Sequence, residues 1–343
     1  MLQDLDLINS RIDLVALAER AGARLKQSGG EWRGNCPLHG GENPSGFVIY
    51  DDGRRWTCFS GDCGSGDALM FIMKHDNVGL LKAIEIGTGG VALSPEETLR
   101  IQAEQAQRAT AELQKSIERA QAVLNEIQSE QIWLKYNEQL QSSVEGRAWW
   151  KGRGIPEGFQ EIWQLGYETD RRIWVGNEIR LPTATIPLFG YGWKCTNVKH
   201  RLIGAPDGVG KYRYEYDRAK SPIFIANPDL EKAETTVVVE GEIKAMVTYI
   251  TLDQPNWQVI GMPGKSTKVD RIKPLLESSS DVYVCCDPDT GKLNEKIASE
   301  LGAERCRIVD TPVKIDDYIL ACDISKNQLL TIFNQSRRIK ETK

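Results

Sequence analysis

Three groups of residues in this chain have types and spacings that can do chemistry. The first is Cys36, His39, Cys58 and Cys63, in the pattern C-x2-H-x18-C-x4-C. Two close pairs of soft ligands, each on a tight turn, can converge on one tetrahedral Zn²⁺ as a zinc ribbon does. Loop formers surround them (Asn35, Pro37, Gly61, Asp62, Gly64, Gly66), which favours a metal site over thiols clustered in an apolar core. The spacing of the second pair is wide. His75, the spare ligand nearby, reads as a surface residue on a helix. So small a segment would be loose without its ion.

The second group is acidic. Thr235-Thr-Val-Val-Val-Glu-Gly-Glu242 ends an apolar run at Glu240, on a turn that Gly241 makes sharp. Asp281-Val-Tyr-Val-Cys-Cys-Asp-Pro-Asp289 places Asp287 and Asp289 just past another such run. Each piece alone is a common turn. Brought together at neighbouring strand ends, the carboxylates would repel and shift one another's pKa values, a conflict that a divalent cation resolves. Oxygen ligands favour Mg²⁺ or Mn²⁺, ions suited to phosphoryl or nucleotidyl transfer.

The third group is basic and aromatic. Residues 190–220 hold seven Lys or Arg against three acids, interleaved with Tyr191, Trp193, Tyr212, Tyr214 and Tyr216. Lys199, Arg201, Lys211 and Arg213 are candidates to hold nucleic-acid phosphates, with aromatics stacking on bases. The competing reading is a solvated strand face with core tyrosines. A net charge of −5 argues against a nucleic-acid partner, but the local distribution is the better guide.

The elements that must position these groups follow from periodicity. A helix is expected over 10–22 behind a Ser10 cap, then strands at 31–35, 47–50 and 55–58, with Asp52-Gly53 turning the last hairpin. A second helix covers 67–74, and Gly87-Thr-Gly-Gly90 marks a boundary. After Pro95 there is no Gly or Pro to about Ser142, and Leu113, Ile117, Ala120, Leu124 and Ile127 form a heptad stripe. One long helix is expected there, a spacer or a helix packed on its neighbour rather than an oligomerising coiled coil. Residues 146–220 read as mixed α/β. Beyond them, strands at 235–239, 258–260, 281–285 and 305–309 alternate with helices at 243–252, 269–276, 292–301 and 316–321. That alternation predicts an α/β fold with a parallel sheet covered by helices.

A length of 343 residues suits two or three domains, and 41% apolar with 27% charged residues is ordinary for a globular chain. No apolar run is long enough to span a membrane, and residues 1–10 carry no basic leader, so a cytoplasmic location is expected. The eight cysteines then form no disulfide framework; the five outside the zinc group read as small buried side chains.

Family resemblance enters with the flanking residues. Asn35-Cys-Pro-Leu-His39, Asn43-Pro-Ser45, Trp56-Thr-Cys-Phe59 and Gly66-Asp-Ala-Leu-Met-Phe71 resemble the CHC2-type zinc-binding domain of bacterial and phage DnaG-type primases. The run into the first cysteine, through Asp13-Leu-Val and Gly29-Gly-Glu-Trp-Arg-Gly34, is similar too. The resemblance implies that this domain reads a single-stranded template. The carboxylate segments, in this order on this strand pattern, resemble the Toprim domain. That likeness implies Glu240 as acid/base or metal-positioning residue and Asp287 and Asp289 as metal ligands. Lys314-Ile-Asp-Asp-Tyr318 resembles a further acidic motif, which adds Asp316. Trp149-Trp-Lys-Gly-Arg-Gly-Ile155 and Leu165-Gly-Tyr167 resemble the opening of the primase RNA-polymerase domain. Two positions depart from the family: Lys244 and Lys314 stand where carboxylates are usual, and Lys244, one turn beyond Glu240, can also reach an NTP phosphate.

The expected organisation is therefore a zinc-binding, template-reading domain (1–90), a long helical linker (91–145), a basic subdomain (146–230), a Toprim subdomain (231–324) and a C-terminal helix and tail (325–343). The expected function is a DNA primase that joins NTPs on single-stranded DNA, with one structural Zn²⁺ and catalytic Mg²⁺ or Mn²⁺. Gly261-Met-Pro-Gly-Lys-Ser266 falls two residues short of a P-loop, so a replicative helicase is expected as a separate partner. The rival readings are a Toprim-type nuclease or strand cleaver, and a non-catalytic zinc-dependent DNA-binding accessory protein.

Overall fold

The computed structural model describes residues 4–50, 52–90, 94–219 and 221–338. Residues 1–3 of the N-terminal stretch, Lys220 of the basic segment and residues 339–343 of the expected tail lie outside them. The chain divides into two compact units, residues 1–117 and 118–343.

The first unit runs α1 (Asp4–Arg11), α2 (Leu14–Arg20), β1 (Lys26–Ser28), β2 (Glu31–Gly34), β3 (Phe47–Ile49), β4 (Trp56–Cys58), β5 (Ser65–Gly66), α3 (Ala68–Asp76) and α4 (Leu80–Gly87), then enters α5 (Pro95–Glu130). The single helix expected over 10–22 is instead two. The Asp13 carboxylate accepts the Ala16 amide at 3.0 Å and caps a fresh start at α2. The five strands form an antiparallel meander in chain order, and Gly53, at φ 63°, turns β3 into β4 as its position predicts. Phe47, Trp56 and Phe71 pack ring on ring behind that sheet, with Leu14 and Ala18 closing the core. Asp67 joins these layers: its carboxylate caps α3, and its carbonyl accepts the Trp56 indole N–H at 2.9 Å.

The long helix does not reach residue 142. Gln131 adopts a left-handed backbone (φ 47°), α5 stops, and α6 (Ile132–Ser142) begins anew. Its stripe is used unequally. Leu113 and Ile117 are 62% and 53% exposed, whereas Ile127, with Val123 from outside the stripe, is buried in the second unit beside Trp133, Phe189 and Val198.

In the second unit α6 is followed by α7 (Val144–Gly152), α8 (Glu157–Ile162), and an antiparallel sheet of β6 (Gly166–Trp174), β7 (Glu178–Phe189), β8 (Cys195–Leu202) and β9 (Tyr212–Tyr214). Then come β10 (Phe224–Ile225), β11 (Thr235–Glu240), α9 (Glu242–Leu252), β12 (Trp257–Met262), β13 (Asp281–Cys285), α10 (Leu293–Leu301), β14 (Cys306–Ile308), α11 (Ile315–Ala321) and α12 (Lys326–Asn334). Their sheet has the order β10-β12-β11-β13-β14, with β12, β11, β13 and β14 parallel and β10 antiparallel at the edge. Val237 and Val239 point into one apolar layer with α9, and Val238, Val282 and Val284 into the other, so both faces are covered. The helix expected over 269–276 forms only two short 3-10 turns, since Pro274 cannot continue an α-helix there. Four of the five scattered cysteines are buried as expected; Cys322, at the end of α11, is exposed. No described helix is long and apolar enough to cross a membrane.

Candidate zinc centre and carboxylate site

The zinc group assembles in the first unit on two loops. Cys36 and His39 follow β2; Cys58 ends β4 and Cys63 precedes β5. Asn35 anchors the first loop: its side chain accepts the Arg24 amide at 2.7 Å and donates to the Gly22 carbonyl at 3.2 Å. Across the second loop, the Cys58 amide donates to the Gly64 carbonyl at 2.9 Å. The four ligand atoms all lie within 4.8 Å of one another, with Cys36 Sγ 3.9 Å from Cys63 Sγ and His39 Nδ1 3.1 and 3.7 Å from the sulfurs of Cys63 and Cys58. Tetrahedral thiolate ligands about 2.3 Å from zinc stand about 3.8 Å apart, so the set fits the ion. The wide C-x4-C spacing is accommodated by Gly61 and Gly64. A Cβ on Gly61 would come within 2.9 Å of the His39 ring, so glycine lets the loop close on it. Burial pushes the Cys36 thiol up to about 12, a proton that a bound cation displaces. His75 lies elsewhere, exposed, paired with Asp76 and stacked on Phe71.

The carboxylate site lies in the second unit, at the C-terminal edge of the parallel sheet. Because β11 and β13 are adjacent and parallel, with Val239 opposite Cys285, Glu240 at the end of β11 and Asp287 two residues past β13 come to the same edge of the sheet. Gly241, at φ 95°, makes the first turn, and a Cβ on the neighbouring Gly261 would meet the Gly241 carbonyl at 2.6 Å. The second turn is held by Asn294, which accepts the Cys286 amide at 2.8 Å, and by Thr290, whose hydroxyl donates to the Asp287 carbonyl at 2.6 Å. Asp287 is buried, Asp289 is exposed on a 3-10 turn, and Asp316 is buried in the first turn of α11.

Charge at this edge is mixed. Lys244 donates to the Glu240 carbonyl and to Asp287 Oδ2, each at 3.0 Å, while Lys314 Nζ lies 3.7 Å from the same oxygen. Burial raises the Glu240 carboxyl, with Asp287 adding to the effect, and burial likewise raises Asp316. Burial alone would depress the Lys244 ammonium; its bond to Asp287 holds it above its ordinary value. Glu240 Oε2 and Asp316 Oδ1 are buried with no hydrogen-bond partner, the kind of vacancy that a hard cation satisfies. The carboxylates nonetheless do not converge as the zinc ligands do: among the described residues, Cys36, His39, Cys58 and Cys63 are the one set drawn that close.

The basic group is divided in use. Lys199 is only 4% exposed; its ammonium donates to both oxygens of Glu242, at 2.7 and 2.9 Å, beneath the rings of Tyr212 and Tyr214. Its charge is committed inside the fold, which corrects its expected place among the phosphate-binding cations. Arg201 lies over Tyr212, Arg213 donates to the carbonyls of Gly210 and Tyr212, and Lys211 is exposed. Three residues that shape the site carried no readable signal as such: Glu242, Asn294, and Lys265, whose charge acts on Glu240.

Comparison with known proteins bears on both regions. The CHC2 zinc finger family matches residues 1–100. A DNA primase of Pseudomonas putida is 38% identical over 81 residues, 23% of this chain and 12% of its own length. One of Thermotoga maritima is 26% identical over 163 residues, 47% of this chain and 25% of its own. The chain thus matches a quarter or less of these curated relatives. Among solved structures, the zinc-binding and RNA polymerase domains of the Aquifex aeolicus primase align over 98% of this chain and 86% of theirs, at 19% identity and a TM-score of 0.51. A DnaG primase catalytic domain bound to single-stranded DNA aligns over 65% of this chain and 83% of its own, at 15% identity and a TM-score of 0.50. Over residues 1–100 the chain is therefore similar to the CHC2 zinc finger family, and its fold is like that of the zinc-binding and RNA polymerase domains of the Aquifex aeolicus primase.

Proposed function

We propose that this chain is a DNA primase, joining NTPs on a single-stranded DNA template by metal-dependent nucleotidyl transfer. One observation carries the reading: a single polypeptide holds a zinc finger and a parallel sheet whose adjacent strands deliver Glu240 and Asp287 to one edge. The two curated primases named above and the primase structures support it. The 3′-hydroxyl oxygen forms a bond to the α-phosphorus of the incoming NTP, and pyrophosphate leaves with the electron pair of the broken bond. Glu240 Oε2, buried, unpartnered and with raised proton affinity, is suited to take the hydroxyl proton. Asp287, Asp289 and Asp316, with Glu240, would hold Mg²⁺ or Mn²⁺, which when bound aligns the hydroxyl and neutralises the pyrophosphate. Arg201, Lys211, Arg213 and Lys244 are the cations proposed for NTP and template phosphates. In this reading the chain works in the cytoplasm, and a replicative helicase on a separate chain is its partner.

The test is one incubation of the zinc-loaded chain with single-stranded DNA, labelled NTPs and Mg²⁺. Short labelled products that require template and metal are expected. Cut template without labelled product would assign a nuclease, and a mobility shift alone an accessory DNA-binding protein.

A further inference from the structure

The turn that carries Glu240 is held from three sides. The Gly241 amide donates to the Met262 carbonyl of β12 at 2.8 Å, and Lys244 Nζ donates to the Glu240 carbonyl at 3.0 Å. The third tether comes from the other sheet: Lys199 of β8 donates to both carboxylate oxygens of Glu242, at 2.7 and 2.9 Å. Gly241 alone separates Glu242 from Glu240. Glu240 Oε2 has no hydrogen-bond partner, so the backbone of the turn sets where that oxygen sits. At its other end the pair meets Tyr212, whose ring centre lies 4.4 Å from Lys199 Nζ and 5.0 Å from the Arg201 guanidinium. One ion pair thus runs from beside a cation proposed for phosphates to beside the carboxylate proposed as base.

Stability does not account for a pair so placed. Ala184 and Ile186 of the antiparallel sheet already share an apolar core with Ile243 and Met246 of α9. A buried ion pair replaced by apolar side chains of similar volume is often neutral or stabilising. Apolar packing has no direction, however, whereas two charge-assisted bonds fix an orientation. We propose that Lys199 and Glu242 are positioning residues: their pair locks the first turn of α9 and so fixes Glu240 against the strand that carries Arg201. The proposal rests on the reading of Glu240 as the base of primer synthesis.

The test compares the zinc-loaded full chain with its Lys199→Met/Glu242→Leu variant, which removes both charges at similar volume. Amide hydrogen exchange of Gly241, followed by NMR, should quicken about tenfold, while Val238 in the middle of β11 exchanges as in the parent. In primer synthesis with Mg²⁺ and varied NTP, kcat should fall about tenfold. The KM for NTP should stay within about twofold, because Arg201 is untouched. Glu242→Gln, equal in shape, guards against misfolding of the double variant and should lower kcat about threefold. Parental Gly241 exchange, parental kcat in both variants, or a loss of kcat that merely follows lost protection at Val238 would overturn the proposal. A parent that makes no primers would sink the primase reading, and Gly241 exchange would still decide whether the pair locks the turn.

Discussion

At the scale of single residues, the sharpest test concerns Cys63. Its sulfur lies 3.9 Å from that of Cys36 and 3.1 Å from His39 Nδ1, although its spacing from Cys58 is the least regular part of the motif. Cys63→Ser should release about one zinc per chain by elemental analysis and lower the melting temperature of the first unit. Retention of the full zinc content would remove Cys63 from the ligand set. At the other site, Asp287→Asn should nearly abolish primer synthesis while leaving the circular dichroism spectrum unchanged, because a neutral amide offers Mg²⁺ little. Near-parental product yield would sink that assignment. The zinc ligands were legible because chemistry demanded four soft donors in two pairs, whatever the turn between them. Lys199 was misread because a lysine beside tyrosines looks the same in sequence whether it faces water or a buried glutamate.

Elements explain why Lys199 is where it is. The Lys199–Glu242 pair joins β8 of the antiparallel sheet to the first turn of α9, two residues beyond Glu240. Lys199→Met would leave Glu242 charged and uncompensated in the core, and should cost about 3–5 kcal/mol in urea unfolding. The double variant Lys199→Met/Glu242→Leu should recover most of that loss; equal loss in both would mean that packing dominates. A second network predicts pH dependence. His200 and Arg171 bind Glu215 at 2.7 and 2.9 Å and carry its carboxyl from 4.5 down to about 2, against the opposing effect of burial, which is the largest single influence. A depressed carboxyl contributes stability that is present above pH 4.5 and is lost as pH falls toward about 2. Glu215→Gln should flatten that acid limb by up to about 3 kcal/mol, read from denaturant midpoints at stepped pH. The parallel strands could be read from runs of valine and isoleucine, since burial on both faces demands them. The break at Gln131 could not, because no glycine or proline marks it and tertiary packing on either side decides it.

For the whole molecule, α5 is the informative feature. Residues 109–122 are exposed on every face, and the division between the two units falls within them. A helical stretch held by no core opens more readily than one packed on a sheet. Limited trypsin should therefore cut first at Lys115 or Arg119, giving two fragments by mass spectrometry. The larger should keep a cooperative melt, since the second unit has its own cores. First cleavage inside β6–β9 would contradict this. Composition gave little warning of the exposure: the heptad stripe looks continuous, and only packing shows that Leu113 and Ile117 gain nothing from it.

Both borders of the parallel sheet are closed by small additions. On one side β10 contributes two residues, antiparallel to β12; on the other, Arg337 forms a single bridge to Ile308 and pairs with Glu295 and Asp310. Neither border offers a long row of free amides and carbonyls to a second copy. Molecules crowded together would meet at this sheet through charged rims, not through strand addition, and so could be packed densely without seeding a fibre.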